Sequence, residues 1–468
     1  MAEPKMLLDK SFNDLEYARM VGTIKRVLEK WTLDAAFHDA YLQDPDRALA
    51  ETGLDVDPET IRLLLDDDAA KEMTNALEKG ELAWDDLPDG YRFYKAFVKE
   101  KIAMREGLRK EHCVPSEPRF QAWRERQEKR CMLELGAAAL AMIQAPLMFE
   151  LSEGCSVGCP FCGVAAKKLR GVFRYTEDNA ALWQETLRRL HALIGDAVGG
   201  GAIYYDCEGL DNPDYEKLLA DYFAEFGVVP QTTTAASTRN IERTRALLQY
   251  GNENYPHIDR FSVLSPAMRD QIFASFSPEE LLLVELLPQF PEAPDCHLIE
   301  MGRNHAEEWE DEVGGTIACI SGFVVNMQEK SVRLMTPFVS DKAHPTGEWI
   351  LEKCSFTTAD DLEETIRRMI SQYMPERLEL GGHCGASCGF RLEEKEGKVW
   401  VHGHCVGIAM MDAAIGQETL DQLLAMLRER EHTGYDILEA LPEGADMALV
   451  ILLLKSLWSH GLIDQTEV

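Results

Sequence analysis

Three cysteines near residue 160 form the pattern in this sequence with the clearest chemical meaning. Cys155, Cys159 and Cys162 follow the spacing C-x3-C-x2-C, directly after a short apolar run over 147–151. Three thiolates this close together on one loop can hold three irons of a 4Fe-4S cubane and leave the fourth iron without a protein ligand. A structural zinc site is the alternative, but such sites usually combine a cysteine pair with a second Cys or His pair. The spacing therefore predicts an iron–sulfur cluster.

The residues around these cysteines are typical of a known superfamily. An aromatic residue, Phe161, precedes the last cysteine, and Gly163 follows it. On these residues the chain resembles the radical S-adenosylmethionine superfamily. The resemblance implies that the open iron binds S-adenosyl-L-methionine and that one electron from the cluster breaks a C–S bond of this cofactor. A 5′-deoxyadenosyl radical is then released. Phe161 is a predicted cofactor contact.

Three further residues are predicted to contact the cofactor. The superfamily usually carries a Gly-Gly-Glu turn after its second strand, and Asp206-Cys207-Glu208 occupies that place here. Glu208 matches the acidic residue that contacts the cofactor's amino group, whereas the two glycines are replaced. Thr234 and Ser262 fall at predicted strand ends, where the superfamily pattern implies hydrogen bonds to ribose or carboxylate. Ordinary turn and capping roles are the alternatives for all three side chains.

The elements that would position these residues alternate between strand and helix from residue 146 onward. Such alternation predicts parallel βαβ units, and a site at the carboxyl end of the first strand predicts a full or partial (β/α) TIM-like barrel. The fold class is therefore α/β. After the first strand, the predicted strands cover residues 201–206, 228–234, 260–264, 281–287 and 316–327.

Four domains are predicted from the changes in texture along the chain. The chain begins and ends with helical runs, and the last three helices followed by an apolar run resemble a winged helix. The predicted domains are a helical, leader-like region over 1–75, a helical linker over 76–145, the barrel over 146–345, and an α+β Cys/His-containing region with a winged-helix-like tail over 346–468.

A narrower resemblance is to the polytheonamide-type peptide epimerases, which invert L-residues to D in ribosomally made peptides. It covers about residues 15–370 and implies that the chain is a radical epimerase of a precursor peptide. Phe37–Leu54 also resembles a leader peptide, for which a plain helical cap on the barrel is the alternative. The segments that carry the resemblance are Phe37–Leu54, Ala145–Cys159, Asp211–Tyr215, Pro230–Ala236, Phe261–Ser265 and Ser321–Met327.

Inversion requires a hydrogen-atom donor on the face of Cα opposite the cofactor. Only a neutral thiol carries a hydrogen atom, and a cysteine away from cations keeps its proton. The candidates are Cys354, Cys384 and Cys388, with Cys405 as the weakest. Alternatively, the patch that contains Cys384, Cys388 and Cys405 ligates an auxiliary cluster or metal, or its thiols are inert and buried.

Composition restricts the partners and the compartment. Asp and Glu number 81 against 48 Lys and Arg, a net charge of −33, which argues against nucleic acid as the main partner. No apolar run is long enough to span a membrane, and no signal peptide is recognisable. Twelve cysteines without a secretion signal indicate metal or thiol chemistry in the cytoplasm rather than disulfides. His305 is interpreted as a structural residue. The acidic run Glu307–Glu312 that follows it is interpreted as a solvated helix face.

The expected partners are a ribosomal precursor peptide, with leader and core, and an electron donor such as flavodoxin or ferredoxin. Two other functions compete with epimerisation. One is a C–S or C–C crosslinking reaction on the same class of substrate, using an auxiliary cluster in the C-terminal region. The other is a non-catalytic metal-binding protein that recognises peptides. The sequence does not identify the peptide or the residues that are changed.

Overall fold

The computed structural model describes residues 15–304 and 315–466; His305 and Glu307–Glu312 lie outside the described residues. Its helices are α1 Leu15–Leu33, α2 Ala35–Gln43, α3 Pro45–Thr52, α4 Pro58–Leu65, α5 Asp67–Glu78, α6 Asp89–His112, α7 Pro118–Leu135, α8 Glu177–Ile194, α9 Tyr215–Phe226, α10 Ile241–Asn254, α11 Pro266–Ser275, α12 Ala359–Tyr373, α13 Gln417–Glu429, α14 Gly434–Ala440 and α15 Met447–Ser459. Its strands are β1 Ala145–Glu150, β2 Ser152–Glu153, β3 Gly171–Val172, β4 Thr233–Thr234, β5 Asp259–Val263, β6 Val284–Pro288, β7 Ile320–Asn326, β8 Ser331–Pro337, β9 Glu348–Ser355, β10 His383–Ala386, β11 Arg391–Lys395, β12 Lys398–His402, β13 Gly407–Met411 and β14 Ile463–Thr466.

Two compact units divide the chain. The first contains the residues up to Leu108, Glu208–Leu210 and Gly227–Leu298, and the second contains Arg109–Cys207, Asp211–Phe226 and the chain from Ile299 onward. The division into four domains stays a prediction. Among the described residues, no helix is both long and apolar enough to cross a membrane.

Aspartates begin four helices of the first unit. The side chains of Asp34, Asp44, Asp57 and Asp66 accept hydrogen bonds from backbone N–H groups in the first turns of α2, α3, α4 and α5. These N–H groups have no partner within the helix, so a carboxylate at the N-cap satisfies them and favours the positive end of the helix dipole. The acidic N-terminal sequence is therefore a series of short helices whose starts are set by aspartate.

The leader-like segment is folded into the first unit. Phe37, Tyr41 and Leu49 are buried in one hydrophobic cluster with residues of α1 and α4. Gly53 ends α3 with a φ of +67°, a conformation that glycine adopts without strain. Phe37–Leu54 thus contributes apolar side chains to the core of the unit that contains it.

A parallel three-stranded sheet, in the order β4-β5-β6, completes the first unit. Phe261 and Val263 alternate with Ser262 along β5 and are buried, since the side chains of a strand point alternately to its two faces. The predicted strand over 260–264 is confirmed within one residue, whereas only Thr233–Thr234 of the predicted strand over 228–234 is in a strand.

A partly buried histidine two residues before β5 makes part of the stability of this unit depend on pH. His257 Nε2 lies 2.9 Å from Asp259 Oδ1, and Asp259 also accepts from the Thr232 amide at 2.8 Å. Burial lowers the pKa of His257, but the charge and hydrogen bond of Asp259 outweigh it, and the pKa is raised above 6.5. A histidine whose pKa is higher in the folded than in the unfolded protein stabilises the fold fully at pH values below its pKa in the unfolded protein. This contribution is lost as the pH rises through its pKa in the folded protein.

We therefore expect wild type to lose stability between about pH 6 and about pH 9 relative to His257→Gln, by on the order of 1 kcal/mol for one hydrogen-bonded ion pair. Urea unfolding of both proteins at the two pH values measures the difference. An identical pH dependence in the two proteins would contradict the assignment.

The second unit contains a four-stranded sheet in the order β1-β7-β8-β9, with β1 and β7 parallel and the other pairs antiparallel. Helices cover one face, where Phe149 of β1 contacts Trp183 of α8 and Tyr222 of α9. The mixed α/β class is confirmed, but the strands of the described chain lie in separate sheets and form no closed barrel. The expectation of a full barrel is therefore wrong.

The predicted strand over 201–206 is also wrong, since the described chain bends there without a strand. The reason is a close approach to β1. A Cβ on Gly201 would lie 1.8 Å from the carbonyl oxygen of Leu147, and the Phe149 amide donates to the Ala202 carbonyl at 2.9 Å. The glycine lets the chain touch the strand without pairing along it.

The C-terminal part of the second unit has antiparallel strands and three helices. Strands β11, β12 and β13 form one sheet, and β10 pairs with β14 in another. The predicted order of three helices, α13, α14 and α15, followed by an extended segment is confirmed. Buried leucines of α13 and α15 share one hydrophobic cluster with Cys384 and Cys388.

Candidate functional site

The cysteine loop, residues 154–168, follows β2 and closes on itself. The Cys155 amide donates to the Lys167 carbonyl at 2.8 Å, and the Leu169 amide donates to the Cys155 carbonyl at 3.1 Å. Gly154 has a φ of +81°, and a Cβ there would lie 2.5 Å from the Lys168 carbonyl oxygen. Glycine is therefore required for the loop to begin in this narrow space.

The three predicted ligands lie on this loop, all partly exposed. Backbone amides donate to two of the sulfurs, Val157 N to Cys155 Sγ at 3.4 Å and Ala166 N to Cys162 Sγ at 3.5 Å. Burial raises the pKa of Cys159 to about 11, with Cys162 and Cys155 adding to the rise. Phe161 is half-buried in the turn between Cys159 and Cys162. In the described residues, no group of three or more His, Cys, Asp or Glu side chains is arranged to hold a metal ion.

The donor set nevertheless has the chemistry that an iron–sulfur cluster needs. Three soft sulfur ligands from one short segment, with N–H groups directed at two of the sulfurs, suit iron better than hard cations. Binding iron would release the protons that the thiols hold, which makes cluster assembly dependent on pH. These residues therefore fit a cubane through their type and their partners.

A carboxylate outside the loop holds its first turn. Asp211 accepts from the Ser156 amide at 2.8 Å and also accepts from the Ser156 hydroxyl. Ser156 directly follows the first predicted ligand, so this pair fixes the backbone beside Cys155. Asp211 belongs to the segment Asp211–Tyr215 that carries the family resemblance, but the sequence does not predict its contact with Ser156, which is 55 residues away.

The predicted cofactor contacts of the first unit gather at one edge of its sheet. Glu208, which is buried, accepts from the Thr234 hydroxyl at 2.6 Å, the Ala235 amide at 2.9 Å and the Leu210 amide at 3.1 Å. Thr234 pairs with Phe261 of the neighbouring strand, and Ser262 directly follows Phe261. Ser262 therefore lies at the same edge of the sheet. The structure thus brings Glu208, Thr234 and Ser262 to the carboxyl ends of β4 and β5, while their contact with a cofactor stays a prediction.

A buried polar network at the end of β1 is a feature that sequence analysis missed. Glu150 Oε1 accepts from Arg333 at 2.7 Å and from the Asp206 amide at 3.1 Å, and Glu150 Oε2 accepts from Asn326 at 3.0 Å. Burial raises the pKa of Glu150, as does its side-chain hydrogen bond to the Asp206 carboxyl, whereas Arg333 and the Asp206 amide oppose the rise. Of the carboxyls of Glu150 and Asp206, that of Glu150 therefore loses its proton at the higher pH. The network also ties β1 to the segment before Cys207.

The predicted hydrogen donors lie in different surroundings. Cys354, on β9, is partly buried between Glu352, at 3.2 Å, and Arg368, also at 3.2 Å. Cys384 and Cys388 are buried in the C-terminal hydrophobic cluster. Burial is the largest cause of a raised pKa at each, and at Cys384 the pKa is about 11. All three candidates therefore favour the neutral thiol, and the structure does not bring Cys354 together with the other two.

The face on which Cys354 lies follows from strand register. Cys354 pairs with Val332 and Lys353 pairs with Arg333. Residues paired across antiparallel strands share a face, and neighbours along a strand point to opposite faces. Cys354 therefore lies on the face opposite Arg333 and its partner Glu150.

Comparison with known proteins identifies a relative along almost the whole chain. The uncharacterized protein y4wI of Sinorhizobium fredii (strain NBRC 101917 / NGR234) is 35% identical over 480 residues, which cover 96% of this chain and 88% of the relative. The chain belongs to the family of y4wI. No family model matches the sequence. Among solved structures, the crystal structure of BtrN in complex with AdoMet and 2-DOIA aligns with 40% of this chain and 71% of that chain, at 13% identity and a TM-score of 0.29.

Proposed function

We propose that this member of the y4wI family is a radical S-adenosylmethionine enzyme that epimerises L-residues to D in a ribosomally made precursor peptide. The observation that carries the proposal is the cysteine loop, which lies between β2 and β3 and whose three thiols follow the C-x3-C-x2-C spacing. The 4Fe-4S cluster would supply the electron that cleaves S-adenosyl-L-methionine into methionine and a 5′-deoxyadenosyl radical.

The chain's own residues would bind and orient the reactants. Cys155, Cys159 and Cys162 would each hold one iron. Glu208 would bind the cofactor's amino group through its carboxylate, which Thr234 and two backbone amides already fix in place. A hydrogen bond between a carboxylate and a cationic amine is charge-assisted and stronger than one between neutral groups.

The reaction balances with one donor thiol and two electrons. The radical removes hydrogen from Cα, and the planar Cα radical takes a hydrogen atom from a cysteine S–H on the opposite face. The resulting thiyl radical needs one electron and one proton to return to the thiol. A flavodoxin- or ferredoxin-type donor would supply this electron and the one that reduces the cluster, and the peptide itself is neither oxidised nor reduced.

Mass spectrometry in deuterated water tests the reaction. With a co-expressed precursor peptide, each inverted residue should gain one deuterium, because the donor S–H exchanges with solvent while Cα–H of an unmodified residue does not. In ordinary water the peptide mass should not change. A stable loss of two hydrogens from the peptide would instead indicate a crosslink and would contradict epimerisation.

A leader segment of the precursor is the proposed handle for binding. The helical N-terminal region and the C-terminal sheets with three helices offer surfaces outside the cysteine loop, and strand addition to a sheet edge is a common way to bind a leader. We expect removal of the leader to weaken binding by about 100-fold, which corresponds to about 3 kcal/mol. Titration of the enzyme with labelled full-length and leaderless peptides measures this ratio, and equal turnover of both would contradict the proposal.

A further inference from the structure

A short turn from a distant part of the sequence lies directly on the cysteine loop. Gly302–Asn304 forms one 3-10 turn of the second unit. The Arg303 amide donates to the Cys162 carbonyl at 3.0 Å, and the Gly302 amide donates to the Pro345 carbonyl at 2.7 Å. The turn is therefore attached on one side to the cysteine loop and on the other to the segment that precedes β9.

The Arg303 side chain binds two further carbonyls of the same loop. Its Nη1 donates to the Cys159 carbonyl at 2.9 Å, and its Nη2 donates to the Ala166 carbonyl. Together with the backbone contact, Arg303 binds the carbonyls of Cys159, Cys162 and Ala166. Cys159 and Cys162 are predicted ligands, and the Ala166 amide donates to the Cys162 sulfur. One residue thus spans the loop from its second cysteine to its end.

A glycine allows the backbones to meet. Gly302 has a φ of +58°, and a Cβ there would lie 2.1 Å from the Gly163 carbonyl oxygen and 2.4 Å from that of Cys162. Because a Cβ on Gly302 would overlap backbone atoms of the cysteine loop, the place of Arg303 relative to the loop is set by packing as well as by hydrogen bonds.

We propose that Arg303 is a positioning residue for the cluster ligands, which holds the cysteine loop through the carbonyls of Cys159, Cys162 and Ala166. The planar guanidinium presents several N–H donors in a fixed fork, so it can hold two carbonyls at defined angles, whereas a lysine ammonium is a compact point charge. Its positive charge also lies beside thiolates that would carry negative charge, and it favours the reduced, more negative cluster. The role of Arg303 toward a cluster rests on the proposed function. Of the two tests that follow, only the second assumes that function.

The first test needs no metal. In the full-length chain purified without a cluster, amide exchange followed by mass spectrometry should be about tenfold faster over residues 159–166 in Arg303→Met, since charge-assisted hydrogen bonds to the loop are lost. Arg303→Lys should fall between that variant and wild type. Arg377→Met is the matched control, because Arg377 is exposed, forms an ion pair with Glu379 and lies outside the cysteine loop and the Arg303 turn. Unchanged exchange over 159–166 in Arg303→Met would overturn the proposal.

The second test uses the reconstituted chain. Iron should leave Arg303→Met about tenfold faster than wild type in the presence of a chelator, for the same lost contacts. Its cluster should be harder to reduce in a spectroscopic titration, while Arg303→Lys should keep a potential near that of wild type. Wild type that assembles no cluster would refute the proposed function but leave the exchange test intact. A normal cluster with the same stability and potential in Arg303→Met would refute the role of Arg303.

Discussion

Replacement of Cys155, Cys159 and Cys162 together by alanine is expected to abolish the visible absorbance of the reconstituted protein and all formation of 5′-deoxyadenosine. The physical reason is that these three thiols are the predicted ligands of three irons of the cubane, and alanine offers no ligand in their place. Anaerobic reconstitution, iron counting and chromatography of the cofactor products measure the effect. Wild type should bind about four irons per chain, as one cubane requires.

Cys296→Ala is the matched control for this triple variant. Cys296 is a partly buried thiol of the first unit that belongs to no predicted site. It should keep the absorbance and the cleavage activity of wild type. Retained cofactor cleavage in the triple variant would refute the central assignment, and loss of cleavage in Cys296→Ala would show that the assay reports general damage.

The second large effect concerns the hydrogen donor. Among Cys354, Cys384 and Cys388, we test Cys354 first, because this residue is partly exposed on β9 while the other two are buried. Cys354→Ala should keep cofactor cleavage and Cα–H abstraction while the yield of D-residues falls to near zero. Without a donor, the substrate radical has no route to the inverted product, and side products derived from the radical should accumulate.

Chiral amino-acid analysis of the hydrolysed peptide measures this yield, with 5′-deoxyadenosine counted in the same reactions. Cys384→Ala and Cys388→Ala serve as comparisons, since both thiols pack in the C-terminal hydrophobic cluster. If one of them loses inversion while Cys354→Ala does not, the donor lies in the C-terminal region. If all three variants still invert the substrate, a thiol donor from this set is wrong and the crosslinking alternative gains support.

The local parts of the site could be predicted from the sequence, and the long-range parts could not. Cys155, Cys159 and Cys162 are separated by a few residues, so their spacing alone indicates a common loop. Arg303 contacts that loop from 144 positions away, and an isolated arginine after a glycine has no pattern that indicates such a contact. Glu150 lies in an apolar strand, and only the fold shows that Arg333 and Asn326 accompany it.

The same division holds for the fold. The alternation of Phe261, Ser262 and Val263 has the period of a strand and predicted β5 within one residue. The run over 201–206 has similar composition, but in the structure it contacts β1 through the Ala202 carbonyl and forms no strand. Of the two predicted forms, a full or a partial barrel, the full barrel is wrong for a related reason, since the pattern of alternating elements does not specify which strands pair.

The aspartates that begin α2, α3, α4 and α5 affect how the strong negative charge of this protein can be altered by engineering. A variant with fewer acidic groups, made to improve crystallisation, could neutralise exposed glutamates at little cost in folding. Asp34, Asp44, Asp57 and Asp66 are different, because each accepts backbone hydrogen bonds at a helix start. Replacing one by alanine costs about 1 kcal/mol at a typical N-cap. Charge reduction in this chain should therefore spare these four positions, or change them to asparagine or serine, which cap without a full negative charge.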